Sequence, residues 1–324
     1  MLDAFLAAAI SMGVVYLFGS IGEIIIEKVG NLNLGIPGIM SLGALGGVAG
    51  AKVYIAIFTI ENIIPIVLIP FVIIFAFIFA ALGGLIYAFF TVTLQSNQNV
   101  TGLILTTFGV GVMKFFGARL VASDIDKTNL VKISNGISQL FTGYDKLGWF
   151  GEIFLSHGFL VYLAFGLAIA ISLFLNKTRK GLFLRSIGES PQTADAQGIN
   201  VSKYKYITIL VGSGIAGLGG LYYVLDNSGG TTFVEAAIEA FGWVAVALVI
   251  FSMWKPTIGI FGSIIFGGLY ILPSFIKVSV IQLKLFDMLP YVVTVLVLIV
   301  TSVLDNKNSQ PPKSLGVNYY REER

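Results

Sequence analysis

With 324 residues, 56% of them hydrophobic and only 11% charged, and a mean hydropathy of +0.90, this chain holds less than half the charged share of about 25% found in ordinary soluble domains, so lipid is its main solvent. The absence of cysteine excludes disulfides and thiolate metal sites, and a formal net charge of +3 says little about partners because its distribution matters more than its sum. At roughly 20 apolar residues per helical crossing, the length allows about eight to ten crossings. The first stretch, MLDAFLAAAISMGVVYLFGS, lacks a basic n-region and a small-residue cleavage site, and reads as a retained helix rather than a signal peptide. Apolar runs follow at 2–26, 36–60, 65–92, 100–117, 157–176, 205–225, 238–254, 257–275 and 288–304. The fold class is therefore all-α: a polytopic transmembrane bundle with nine crossings preferred.

The second run opens on GNLNLGIPG, where Gly30, Gly35, Pro37 and Gly38 interrupt the backbone. A broken helix is expected near 31–38, and such a break at membrane depth is tolerated only where it faces protein or a watery cavity. Lys52 in the same run must snorkel or mark an earlier helix end. The glycine-rich GSGIAGLGG at 212–220 lies inside an apolar helix with no strand before it, which points to close helix packing rather than nucleotide binding. His157, the only histidine, reads as a polar residue at a helix entrance. Of Glu23, Glu27, Lys114, Glu235 and Glu239, most fall within a turn or two of expected helix ends, where snorkelling or interfacial placement suffices.

Between the fifth and sixth runs lies a polar insert, LRSIGESPQTADAQGINVSKYK, flanked by Lys177, Arg179, Lys180, Arg185, Lys203 and Lys205. Its basic excess puts it in the cytoplasm. Alternation of crossings then puts WKP at 254–256 and the C-terminus inside, and the charge-balanced 118–152 segment outside. A short amphipathic helix is expected near 189–198, capped by Ser190 or Glu189, with Pro191 in its first turn and Gly198 in a left-handed conformation at its end. The membrane domain is expected over 1–305, with a coupling segment at 177–205. The 306–324 tail is expected to be a mobile cytoplasmic appendage, since Pro311, Pro312 and mixed charge give it no apolar face. No second domain or plain sequence repeat is visible, although inverted structural repeats can hide at this level of similarity.

No phosphate loop, HExxH or GxSxG pattern occurs, so the chain carries no ATPase or hydrolase signature of its own. The insert resembles the cytoplasmic coupling segment of permease subunits of ABC importers, in the branch serving simple sugars, nucleosides and branched-chain amino acids. The resemblance rests on Arg185, Gly188, Pro191, Ala194, Gly198 and Ile199, with Ser186 where that branch usually has Ala. NLNLGIPGIMSLGAL (31–45), NQNVTGLILT (97–106) and GWVAVALVIFSMWKPTIGIFGSIIFGGL (242–269) resemble further elements of the same family in the same order. The nearest likeness is to the smaller permease of nucleoside importers.

The resemblance implies a permease in the plasma membrane of a prokaryote, surrounded by lipid and paired with a second permease subunit, a heterodimer being preferred. It further implies an ATP-binding partner, often two modules fused in one polypeptide, and an extracytoplasmic substrate-binding lipoprotein. ATP is used by the partner, this chain binds no cofactor or metal, and no nucleic-acid partner is expected. Coupling to the ATPase falls to Arg185, Gly188, Glu189, Pro191, Ala194 and Gly198. A neutral polar solute needs hydrogen-bonding groups and aromatics along its path, which makes Asn31, Asn33, Asn97, Gln98, Asn99, Thr231, Thr232 and Phe233 the candidates. The alternative for each is capping and turn chemistry. Two other classes stand beside this reading: an ion-coupled carrier, which deep acidic residues would favour, and an intramembrane enzyme, for which nucleophile and metal spacing are lacking.

Overall fold

A computed structural model describes residues 2–58, 60, 63–122, 124–138, 144–230, 235–276, 280–303 and 310–320. Its long elements are α1 (Leu2–Lys28), α2 (Ile36–Phe58), α3 (Pro65–Ala88, continued by a π turn over Phe89–Thr93) and α4 (Gln98–Leu120). The short helices α5 (Asp124–Ile137) and α6 (Gly148–Phe154) precede α7 (Phe159–Lys177). Next come α8 (Arg179–Glu189), α9 (Pro191–Ala196) and α10 (Val201–Tyr222, continued by a π turn over Tyr223–Asn227). The last three are α11 (Glu235–Phe251), α12 (Pro256–Phe275) and α13 (Val280–Val303). Each of the nine expected apolar runs contains a helix among the described residues, although some run ends, such as 252–254, are turns. Among the described residues, seven helices are long and apolar enough to cross a membrane, whereas the apolar stretches Ala236–Phe251 and Met288–Val297 are shorter.

Helices α1 and α10 are apolar on all sides and occupy the centre, as helices without a polar face must. Helix α3 shows the opposite habit: Ile74, Ile78, Leu82, Leu85 and Ile86 are exposed and form a lipid-facing stripe. The two central helices cross antiparallel where Gly22 meets Gly212 and Gly219 meets Val15, and a methyl added at Gly22 would overlap the backbone of Gly212. In a membrane, small residues let backbones approach closely when apolar burial gives no net drive. The 212–220 glycines are used in this way, against Gly22, Phe77, Gly43, Val15 and Met40.

The contacts of the two central helices mirror each other. Helix α1 runs parallel to α11 (Tyr16 on Phe241, Gly19 on Ala245) and antiparallel to α12 (Gly13 on Ser263, Gly267 on Ala9). Helix α10 runs parallel to α2 (Gly43 on Gly217, Gly47 on Leu221) and antiparallel to α3 (Gly84 on Ser213, Gly217 on Ala80). Helix α4 packs on α2 as α13 packs on α11. Each half thus surrounds the first helix of the other, the pattern of an inverted repeat.

Where a broken helix was expected near 31–38, the structure has a link between two separate helices. Pro37 and Gly38 already belong to α2, and the interruption is the link 29–35 at the end of the bundle that also carries α8 and α9. At the opposite end, Lys52 pairs with Asp126 at 2.9 Å, which explains a lysine so close to the end of α2.

The tail departs most from expectation. Residues 310–320 are not a free appendage but a strap laid across the α8–α9 end of the bundle. The Ser314 amide and hydroxyl both donate to the Gly188 carbonyl, at 2.9 and 2.6 Å, and the Gly316 amide donates to the Gly30 carbonyl at 3.2 Å. Asn318 donates to Ser96 and accepts from Gln98. The Tyr319 hydroxyl donates to Asp195 Oδ2 at 2.9 Å. Pro312 is buried and Leu315 and Tyr319 pack against the hydrophobic core, so apolar contacts hold the segment together with its hydrogen bonds to backbone and side chains.

Candidate functional site

The polar insert folds as two helices rather than one. Thr178 caps α8 by accepting from the Gly181 amide at 3.0 Å, and Ser190, not Glu189, caps α9 by accepting from the Thr193 amide at 3.3 Å. Pro191 takes the first helical position, where its missing N–H costs nothing. Gly198 ends α9 at φ 79°, with its amide on the Asp195 carbonyl and the Ile199 amide on the Ala194 carbonyl. Asn200 then caps α10 by accepting from the Lys203 amide.

Pro191 and Ala194 are buried, whereas Gln192, Thr193, Ala196 and Gln197 are exposed. The positions legible as a pattern are thus the ones that seat the helix. The residues a partner would touch lie between them, and sequence reasoning missed them because small polar residues carry no pattern. Gly188 lies where a methyl would overlap the Lys28 carbonyl, so only glycine lets α8 pass the end of α1. Arg185 and Glu189 line a cavity of about 450 Å³ together with Lys28, Trp254 and Lys255.

That cavity is floored by the α11–α12 turn, in which Met253 and Trp254 both have positive φ, 53° and 55°. Two successive non-glycine residues in this region store strain. The Trp254 indole N–H donates to Glu27, which ties the turn to α1. Glu23, one helical turn earlier, accepts from the Asn33 amide at 3.0 Å. These two glutamates are 0% and 3% exposed, so the interfacial placement expected for them is wrong: both are buried and serve as acceptors for irregular backbone or a strained turn.

The 29–35 link is bonded from α1, α3 and α4, although Asn33 Nδ2 is buried without a partner among the described residues. Asn33 Oδ1 accepts from Gly35, Gln98 Oε1 accepts from Leu32, and Tyr87 and Thr106 donate to the Leu32 and Leu34 carbonyls. Asn31, Asn33 and Gln98 are buried, and Asn33 and Gln98 bond the interrupted chain, the capping chemistry weighed above against pore lining. Both amide atoms of Asn31 are buried without a partner among the described residues. Asn97 caps α4 through the Val100 amide and is exposed, as is Asn99. Thr231, Thr232 and Phe233 lie outside the described residues. At the far end, His157 bonds the Ile153 carbonyl at 3.0 Å just before α7, and burial, the largest influence, lowers its pKa below the ordinary 6.5.

Comparison with known proteins adds a family. The model described as "Branched-chain amino acid transport system / permease component" matches residues 5–298. The nucleoside ABC transporter permease protein NupC of Lactococcus lactis is 31% identical over 317 residues, covering 94% of this chain and 93% of that protein. The guanosine ABC transporter permease protein NupQ of Bacillus subtilis is 28% identical, covering 94% and 92%. TsgC13 of Haloferax volcanii, provisionally named a glucose ABC transporter permease protein, is 32% identical over 262 residues, 81% of this chain and 74% of its own length.

Proposed function

The chain belongs to the family of branched-chain amino acid transport system permease components, and from that membership we propose that it is the membrane-spanning subunit of an ATP-driven importer for nucleosides. It is a multi-pass membrane protein and a transport subunit, not an enzyme. An ATP-binding subunit hydrolyses ATP beneath it, and a substrate-binding lipoprotein delivers the solute from the other side. A second permease completes the path as a heterodimer, and the ATP-binding modules are joined in one polypeptide.

The observation that carries this reading is the α8–α9 pair: a capped, outward-facing polar helix seated by Pro191 and Ala194 on the basic end of the bundle. Lys28, Lys177, Arg179, Lys180, Arg185, Lys203, Lys255 and Lys313 all belong to segments at this end, which supports a cytoplasmic assignment for it and for the C-terminus. Arg185, Gly188, Glu189, Pro191, Ala194 and Gly198 then act as one lever through which closure of the ATPase moves the bundle. Of the described polar positions considered for the path, Asn97 and Asn99 are exposed. Asn33 and Gln98 serve it by bonding the 29–35 link, and Asn31 lies buried in that link with both amide atoms unpartnered among the described residues.

Nucleosides are favoured because NupC and NupQ align along nearly the full chain. A simple sugar is the second reading, favoured by the 32% identity to TsgC13. Buried Glu23 and Glu27 speak for an ion-coupled carrier, and Glu23 Oε2 is buried without a partner among the described residues, but Glu23 Oε1 serves Asn33, Glu27 Oε2 serves Trp254, and the family membership favours the ATP-driven reading. The test is uptake of labelled nucleosides and glucose in cells that express the chain with its ATP-binding and binding-protein partners. Saturable nucleoside uptake that vanishes when the ATPase is inactivated is the expected result. Glucose uptake alone replaces the substrate, and uptake without the ATP-binding subunit overturns the importer reading.

A further inference from the structure

A second polar cavity, of about 270 Å³, lies between the end of α3, the α9–α10 joint and the strap. Its lining includes Gln95, Asp195, Val201, Ser202, Lys205 and Tyr319. Lys205 is 4% exposed, and among the described residues no carboxylate or other acceptor is paired with its ammonium. Its stem is buried while its ammonium opens on the cavity, and a charge in so confined a site is costly unless a counter-charge is supplied. The cavity is also where α10 begins. Its first amides, those of Val201 and Ser202, have no intrahelical acceptor, and the aligned peptide dipoles of this 22-residue helix place partial positive charge there. Asn200 already serves Lys203 through its side chain and Tyr204 through its carbonyl, so it does not neutralise that end. On another wall Asp195, fixed by the Tyr319 hydroxyl, offers an acceptor.

We propose that this cavity binds a small phosphate-type oxyanion, with Lys205 and the first turn of α10 facing its charge and Asp195 accepting from its protonated oxygen. The volume lies at the small end of ligand sites, which suits an ion or a single headgroup rather than a larger molecule. Bound there, the ion joins the strap, the end of α9 and the start of α10 in one polar network. Its effect on coupling rests on the lever reading given above; the binding itself does not.

Because the chain has no cysteine, Ser202→Cys gives a single reporter thiol at an exposed position of the cavity. The full chain, in neutral detergent at fixed ionic strength, is treated with a small water-soluble alkylating reagent. Inorganic phosphate at about ten times its dissociation constant should slow the reaction about tenfold. Chloride at equal ionic strength should not slow it. Lys205→Met should abolish the protection and Lys205→Arg should keep it. In the unsubstituted protein, phosphate should raise the melting temperature where chloride does not, a measurement independent of either variant's folding. Nanodiscs separate the sources: protection by phosphatidylglycerol without added phosphate assigns a lipid headgroup, and protection by phosphate in pure phosphatidylcholine assigns the free ion. Rates indifferent to both, or protection that survives Lys205→Met, overturn the proposal. So does protection that appears only when the ATP-binding subunit is added, since a protein carboxylate would then fill the cavity. No readout depends on transport, so failure leaves the importer reading untouched.

Discussion

Gly198 holds a backbone conformation that side chains resist, yet no atom lies within 4 Å of the methyl that alanine would add. The cost of Gly198→Ala is therefore conformational alone, about 1–2 kcal/mol. It falls on a joint between two short helices, where relaxation can move α9 instead of melting it. We expect the variant to assemble at normal yield while transport per ATP hydrolysed drops several-fold. Unchanged transport at unchanged ATP turnover would remove this joint from the lever. Gly198, Ser190 and Pro191 were legible in the sequence because cap chemistry is local: the groups they satisfy lie within a few positions. Glu23 and Glu27 were not, because their partners are the Asn33 amide across an interruption and the Trp254 indole far along the chain. A carboxylate near a helix end looks the same in sequence whether it meets water or a buried donor.

The element that composition misjudged is the 310–320 strap. Two prolines and mixed charge rule out a periodic apolar face, but Leu315 and Tyr319 pack singly against the core, and polar groups already ordered by other elements fix the chain through bonds that no periodicity announces. Four sites on the bundle receive it: Gly30, the Gln95–Gln98 stretch, Gly188 and Asp195. Removing Ser314 and Asn318 functionality together (Ser314→Ala with Asn318→Ala) leaves buried or half-buried partners unmatched, at about 1–3 kcal/mol for each group left without one. A lowered melting temperature and faster proteolysis within 190–200 are the expected outcomes. Wild-type melting after deletion of 310–320 would show that the strap merely rests on the surface. The α1–α2 link is the converse case. Its glycines and asparagines suggested a helix broken near 31–38; the structure has a link at 29–35 between two separate helices, and its partners on α1, α3 and α4 depend on tertiary placement.

For the molecule as a whole, the apolar runs were readable because lipid demands long uninterrupted helices, and each expected run contains a helix among the described residues. The inverted arrangement was hidden because it is carried by close backbone approach at unlike small residues, not by a repeated string. Gly217 marks the seam, with Gly43 on one side and Ala80 on the other. Gly217→Leu should force α2 and α3 away from α10 and cost about 1–3 kcal/mol or more, as overpacking does. Folded yield in membranes should fall steeply, whereas the same change at Gly166, which has open space around it, should be tolerated. The strap has a further consequence, in the order of folding. The Gly316–Gly30 bond joins the end of the first helix to a segment that follows the thirteenth, and contacts so distant in sequence form late. Loop-closure entropy grows only logarithmically with length, so this closure is slow more than it is costly. A chain paused during insertion therefore leaves α1 unlatched from α8, with its partner-facing surface unfinished. Docking competence becomes a report that every intervening helix has already found its place.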